Sequence, residues 1–501
     1  MPILFPRVRR RAAAAALLCV LASTPGRVLA AEKWIELKSA HFTVTSNAGQ
    51  GETTDLIWQL EQVRSAIAAI YPWAKVDLSR PVAVLAVKDE TSMKAVAPTY
   101  WERKGGVHPS SVWVSGPDQY YLAVRTDVSA ESRGEVNPYF NSYFSYVSLV
   151  LRQSLERQLP EWFMRGLSGV WSNTIVRESK ILLGPPIPWH IQALREDTRF
   201  HLAELIAMTR QSPGFLNGDS LARFDAESWA LVHFLMFGDG GARAGKLDQF
   251  VKAVFAGADP QVAFREVIGR PEDLETPFGN YLSRAVFSAR QINVDASVKR
   301  EGFTVRQLPP AESASRRALF HAAMNRPAEA RAAIDEARKA GDAPDTFVAE
   351  AMLLEREGKR DEAKAAFERA TAVGTTIEYA YYRLASLLWV PNSSPETLQR
   401  VEELLGKAIS MNTRDAWAYA SLGEVRSQRG SSDDPMGVIR RALSLEPGEA
   451  YHHLRAASVL WRQKKYDEAL AHAQAARDLA DDDQVRRRAA DMIDGISRAR
   501  R

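Results

Sequence analysis

Nine histidines carry most of the side-chain chemistry that this 501-residue chain could direct at a metal: His41, His108, His190, His201, His233, His321, His452, His453 and His472. Zinc hydrolysis asks for two of them at i and i+4 on one helix, with a glutamate beside the first to activate water. No H-E-x-x-H occurs anywhere in the chain. His201 and Glu204 stand at i and i+3 with His190 nearby, a thin constellation that an ordinary surface helix explains better. His233 falls in an apolar run and is expected to be a hydrogen-bonded core histidine. His452 and His453 lie inside a repeated unit, where surface or packing roles are expected. Ser145 and Ser148 sit outside any G-x-S-x-G elbow, so nucleophilic serine chemistry lacks its motif.

The stretch around those serines, Asn141 to Trp171, organises the chain. Asn137-Pro138 suits a helix start, and apolar residues follow at Phe140, Tyr143, Phe144, Val147 and Leu151, which is helical spacing. Pro160 opens a second helix carrying Trp162, Phe163, Leu167, Val170 and Trp171. Upstream, Trp34–Ser46 alternates as a strand, Glu52–Tyr71 is an amphipathic helix, and Pro81–Val87 is an apolar run of strand length. Ser92–Tyr100 reads as a short helix. Ser111–Ser115 and Tyr120–Thr126 read as strands joined by the turn residues Gly116-Pro117-Asp118. Asp225–Phe237 is apolar nearly all round and should be a buried helix, and Leu274–Gln291 reads as the last helix of the block. The fold class expected for the N-terminal part is α+β, a small sheet with helices stacked after it.

The two ends differ in kind. Arg7, Arg9, Arg10 and Arg11 precede an apolar run from Ala12 to Ala22, and Val28-Leu29-Ala30 follows. Residues 1–30 therefore read as a cleavable secretory signal, and the run is too short for a membrane span of ~20 residues. Cleavage would remove Cys19, the single cysteine, and the five arginines that carry the net charge of +4, leaving a slightly acidic chain. Nucleic-acid binding, which wants a clustered basic surface, gains no support. After a linker at 296–310, residues 311–501 form a repeat array. Alanines closing similar helices recur at Ala337, Ala370, Ala408, Ala442 and Ala476. A period of ~34 with helix-turn-helix composition marks tetratricopeptide repeats. The one longer step contains Pro391-Asn392-Ser393-Ser394-Pro395 and is expected to be a loop insertion.

Residues 31–295 resemble the peptidase-MA-like domain, a gluzincin relative. The resemblance rests on Ser39-Ala40-His41-Phe42-Thr43-Val44, Tyr121-Leu122-Ala123-Val124, Asn137-Pro138-Tyr139-Phe140, Leu149-Val150-Leu151-Arg152-Gln153, Leu159-Pro160-Glu161-Trp162-Phe163, Gly166-Leu167 and the run from Glu227 to Leu235. It implies a zinc site across the two helices, which this chain does not keep. Phe144 and Ser148 stand where the histidine ligands would be, Ser145 where the general base would be, Arg165 in place of the glutamate ligand and Gly169 in place of a later acid. A permanent cation at Arg165 opposes a dication, and no metal or other cofactor is expected. The resemblance also implies that a bound peptide pairs with an edge strand, for which Tyr120, Tyr121, Leu122, Ala123, Val124 and Arg125 are the candidates. The expectation is a periplasmic or secreted, non-catalytic protein that holds a peptide or protein partner in the repeat groove. The alternative is an active metal-dependent peptidase using an unusual site, with His190, His201 or His233.

Overall fold

The computed structural model describes residues 32–501 apart from 103, 106–107, 129–135, 156–158, 196–198, 285, 432 and 481. The expected signal segment, residues 1–30, lies outside the described residues. The strand expected over Trp34–Ser46 is broken into an antiparallel pair, β1 (Trp34–Lys38) and β2 (Thr43–Ser46). The helix Gln50–Ile70 crosses over to β3 (Val82–Val87), which runs parallel to β2. β4 (Ser111–Ser115) and β5 (Tyr120–Arg125) form the hairpin, with β5 parallel to β3.

Two corrections concern this sheet. Its strand order is β4-β5-β3-β2-β1-β9, where β9 is Thr304–Leu308. The candidate edge strand Tyr120–Arg125 is therefore interior. Its main chain is used by β3 on one side and by its hairpin partner β4 on the other. The expected linker 296–310 is not a linker throughout, because its residues 304–308 pair with β1 from Leu308↔Trp34 to Thr304↔Lys38. The strand TVRQL has no apolar alternation to reveal it. Four of its five side chains are exposed, and Arg306 is tied to Glu36 at 2.8 Å.

The central strands are apolar on both faces because both faces are buried. Val84, Ala86, Leu122 and Val124 enter the core made with the N-terminal helices. Their neighbours Leu85, Val87, Tyr121 and Ala123 enter a second core with Ala318, Leu319 and Phe320 of the first repeat helix. A period of two thus joins one sheet to two helical layers. A smaller sheet, β6 (Ile175–Val176), β7 (Lys180–Leu183) and β8 (Arg290–Asn293), was not expected. The helix expected over Leu274–Gln291 is instead Pro271–Leu282, and the chain returns as β8.

The repeats are helix pairs: Pro310–Ala323 with Pro327–Lys339, Pro344–Arg356 with Arg360–Ala372, Glu378–Leu388 with Pro395–Met411, Ala416–Arg429 with Pro435–Leu445, and Ala450–Arg462 with Tyr466–Leu479. Asp483–Arg500 closes the array. The five marker alanines all lie on second helices and are fully buried. Each pair turns through one left-handed residue, Asn325, Gly358, Asn392, Gly430 and Lys464 in succession. The expected loop insertion is present: six residues, 389–394, join the third pair where three, 324–326 and 357–359, join the first two, and the helix that follows is longer as well. Pro395–Met411 has 17 residues where its counterparts Pro327–Lys339 and Arg360–Ala372 have 13.

Candidate functional site

The helices Phe140–Ser154 and Glu161–Ser172 do bring the expected positions together. The Arg165 guanidinium lies 5.9 Å from the centre of the Phe144 ring and 5.5 Å from that of Phe215. Its Nε and Nη2 donate to the two oxygens of Asp225, the latter at 2.6 Å. Ser148 and Ser168 share a hydroxyl hydrogen bond of 2.8 Å, and Ser145 is half-buried on the same helix. Gly166 lets the second helix touch the helix Gly218–Phe237, since a Cβ there would fall 2.3 Å from the Ser228 carbonyl oxygen. At Gly169 a Cβ would meet Trp229 at 3.4 Å, an ordinary contact with the indole. The cation is matched by a carboxylate and framed by two rings. That arrangement ties the helices together through a charge-assisted pair and ring contacts.

The histidines are dispersed. His233 is buried, with Nδ1 2.5 Å from the Tyr281 hydroxyl and Nε2 2.9 Å from Gly184 O. Burial pulls it down to about 4, and it is the core histidine expected. His190 stacks on Trp229 at 5.8 Å, and burial followed by the charge of Arg165 pulls it down to about 3. His201 is 85% exposed, with Glu275 3.7 Å away, and it joins neither His190 nor His233 among the described residues. Among the described residues no group of three or more histidines, cysteines or carboxylates is placed to hold a metal.

The larger site lies elsewhere. A cavity of about 540 Å³ opens between the sheet domain and the repeats. Its first wall comes from Arg80, the β4–β5 turn, Tyr120 and the end of the helix Phe140–Ser154. Its second comes from the first helices of the third and fourth pairs, with Glu378, Tyr379, Tyr382, Asp415 and Trp417, and from Glu446 beyond them. Small clasps hold the walls together. Asn412 Nδ2 donates to Ser79 O at 2.9 Å and to Glu378 Oε1 at 3.2 Å, and Lys75 Nζ donates to Ser444 O at 2.6 Å. Ser79 Oγ donates to Glu446, and Arg414 pairs with Asp77.

Several carboxyls here are displaced from their ordinary range. Burial, and then the charges of Asp415 and Asp118, push Glu378 up to about 7. Burial and Glu446 push Asp415 up to about 6. Burial pushes Asp118 up to about 6, against the pull of the Tyr121 hydroxyl. Glu446 is the exception. Burial raises it, but the His452 ring at 3.1 Å and the Ser79 hydroxyl outweigh that and hold it low. Of this whole constellation only Tyr120 was singled out from the sequence, and for its main chain. The other residues come from segments hundreds of positions apart; Glu378 and Asp415 begin helices, Asp118 sits in the β4–β5 turn and Glu446 follows a helix end, all ordinary places for a carboxylate.

The fold and site define a helical-repeat scaffold closed on one side by a mixed-sheet domain. No family model matches the chain, and no curated protein matches it. Among solved structures, the chain is similar to YrrB, a TPR protein with an unusual peptide-binding site, at 20% identity over 36% of this chain and 92% of that one, with a TM-score of 0.30. It is also similar to a thermophilic TPR protein of Thermus thermophilus, at 20% identity over 36% and 98%, with a TM-score of 0.29. A third is pilF of Pseudomonas aeruginosa, at 12% identity over 38% and 90%, with a TM-score of 0.29. Likenesses at this level say nothing of function, and the repeat architecture stands on the helix pairs of the chain itself.

Proposed function

We infer that the protein is a non-catalytic binding protein whose cavity between sheet domain and repeats holds a peptide or a segment of a partner protein. The observation that carries this is the cavity. Its volume of about 540 Å³ falls in the usual range of ligand sites, roughly 300–1,000 Å³. Half-buried aromatic side chains, Tyr379, Tyr382 and Trp417, line it beside polar groups that could fix a backbone. The repeats are read as tetratricopeptide repeats on their period and their left-handed turns. The sheet domain is read as a peptidase-like domain that has lost its chemistry. The meeting of Phe144, Ser148 and Arg165 at one helix crossing supports that reading. Export through the N-terminal segment belongs to the same reading and rests on the composition of residues 1–30.

A peptide array on the purified full chain tests the binding. Trp417→Ala is expected to weaken retained peptides at least ten-fold. Affinities untouched by Trp417→Ala and Tyr382→Ala would place binding outside the cavity and sink the proposal. Metal analysis of the same preparation is expected to return well under one zinc per chain. Stoichiometric zinc lost on substitution within 144–165, or chelator-sensitive cleavage of peptides, would restore the peptidase reading. N-terminal sequencing of the protein from an envelope fraction tests export, with a start near residue 31 expected.

A further inference from the structure

The charges around the cavity are not balanced. Arg210 is held by Glu161 at 2.6 Å, and Arg383 by Glu355 at 2.7 Å. Arg80 donates to Gly116 O at 2.7 Å and lies 4.5 Å from the centre of the Tyr120 ring, and Arg152 is engaged as well. Among the described residues none of the carboxyls Glu378, Asp415 and Asp118 forms an ion pair, although Arg80 is near enough to pull Asp118 down somewhat and His452 does the same for Asp415. Among the described residues their side-chain partners are neutral: Asn412 Nδ2 for Glu378, the Ala418 amide at 2.9 Å for Asp415, and the Tyr121 hydroxyl for Asp118. Asp118 is only 3% exposed, yet its Oδ1 has no hydrogen-bond partner. A buried carboxylate without a cation is costly, and here neighbouring carboxylates worsen one another.

We propose that this cavity takes an organic cation, a primary ammonium or guanidinium carried on a lysine- or arginine-bearing peptide, set against Glu378, Asp415 and Asp118 and between the rings of Tyr379, Tyr382 and Trp417. The proposal deepens the binding reading above and rests on it. Aromatic faces and carboxylates together complement a large, weakly hydrated cation. Tyr379 and Tyr382 stand 6.2 Å apart between ring centres, and Trp417 joins them along the same wall. A bare dication does not fit as well, because no three of these acids are gathered closely enough to ligate one among the described residues. The cavity is also many times larger than an ion and has room for a long side chain with flanking backbone.

The test is fluorescence anisotropy at pH 8 with the full chain and four probes. Three are labelled pentapeptides that carry at their centre lysine, Nε-acetyl-lysine or glutamate. The fourth is spermidine as a competitor, which separates a free amine from a peptide source. The lysine peptide is expected to bind at least ten-fold more tightly than the other two. Glu378→Gln and Asp415→Asn are each expected to weaken it at least five-fold, while circular dichroism shows the fold unchanged. Asparagine also caps helices, so the second substitution keeps that role. Equal affinity for the three peptides, lysine binding indifferent to both substitutions, or no binding by any probe would overturn the proposal. Trp417-dependent binding without charge preference removes the cation and leaves the binding reading standing. Spermidine displacing the lysine peptide at concentrations below that peptide's own Kd keeps the cation and identifies a free amine, not a peptide, as its source.

Discussion

Arg165 and Glu378 are both ionisable side chains set among aromatic rings, and their surroundings are built in opposite ways. Around Arg165 each need is met within the fold. Asp225 takes both of its forks, and Phe144 and Phe215 flank its plane. Around Glu378 the fold supplies more negative charge, from Asp415 and Asp118, and one amide donor. The first arrangement stabilises a helix crossing. The second costs stability wherever the carboxyls are ionised, and a ligand of the right sign would relieve that cost. A crowded ionisable group thus points to function where its partners are missing, and to architecture where they are present.

The largest effect expected at the closed site comes from Gly166→Leu. A side chain cannot pass the Ser228 carbonyl at 2.3 Å, so the two helices must separate. A loss of about 3 kcal/mol or more in chemical denaturation is expected. A loss under ~0.5 kcal/mol would mean that the crossing yields easily and is not the rigid counterpart of the cavity.

Arg165→Ala should cost less, about 2 kcal/mol, because the pair is a quarter exposed and solvent screens part of the charge. The double variant with Asp225→Ala should recover much of that loss, since no lone carboxylate is left behind. If the two single losses simply add, the pair is not acting as a unit and the contrast with Glu378 weakens.

Glu378→Gln should act with the opposite sign. The ordinary value for this carboxyl is 4.5, and in the fold it is pushed up to about 7. Between those values the folded state holds the proton more tightly than the unfolded state. Stability therefore falls as pH rises from ~4.5 to ~7, and the whole loss is present above that. Glutamine removes the ionisation, so the variant should exceed the parent by about 1–2 kcal/mol at pH 8 and by little at pH 5. Glu227 is also pushed up to about 7, by burial, so only the difference between variant and parent is informative. A variant less stable than the parent at pH 8 would show that Glu378 is compensated after all.

The part of the closed site that lies on one helical hairpin was legible in the sequence, and its partners Asp225 and Phe215, far along the chain, were not. Phe144, Ser148 and Arg165 lie within a few turns of one helical hairpin, and their spacing alone puts them on facing sides. The repeat register was legible for the same reason, through five small residues that recur every helix pair. The cavity was not, because it is made by long-range packing of Arg80 and Asp118 against Glu378 and Asp415. Each of those acids looks locally like a cap or a turn residue. Edges were misread too. β9 is a polar strand whose only signal is its pairing, and β5 has the pattern of any buried strand, which says nothing of how many neighbours it has.

Asn412→Ala is the mildest of these substitutions and probes the contrast most finely. The side chain bridges the two walls, donating to Ser79 O and to Glu378 Oε1, while its own oxygen accepts from the Arg414 amide at 3.0 Å. Losing these bonds should cost about 1 kcal/mol at pH 5. The bond to Glu378 also lowers that carboxyl against burial, so its removal should move the carboxyl still higher. The stability loss on raising the pH should then extend above 7, and the gap between Asn412→Ala and the parent should widen from pH 5 to pH 8. Parallel profiles for the two proteins, followed by thermal unfolding across that range, would show that Asn412 only fastens the walls. A widening gap would show that this one amide is what keeps the uncompensated carboxylate tolerable at neutral pH.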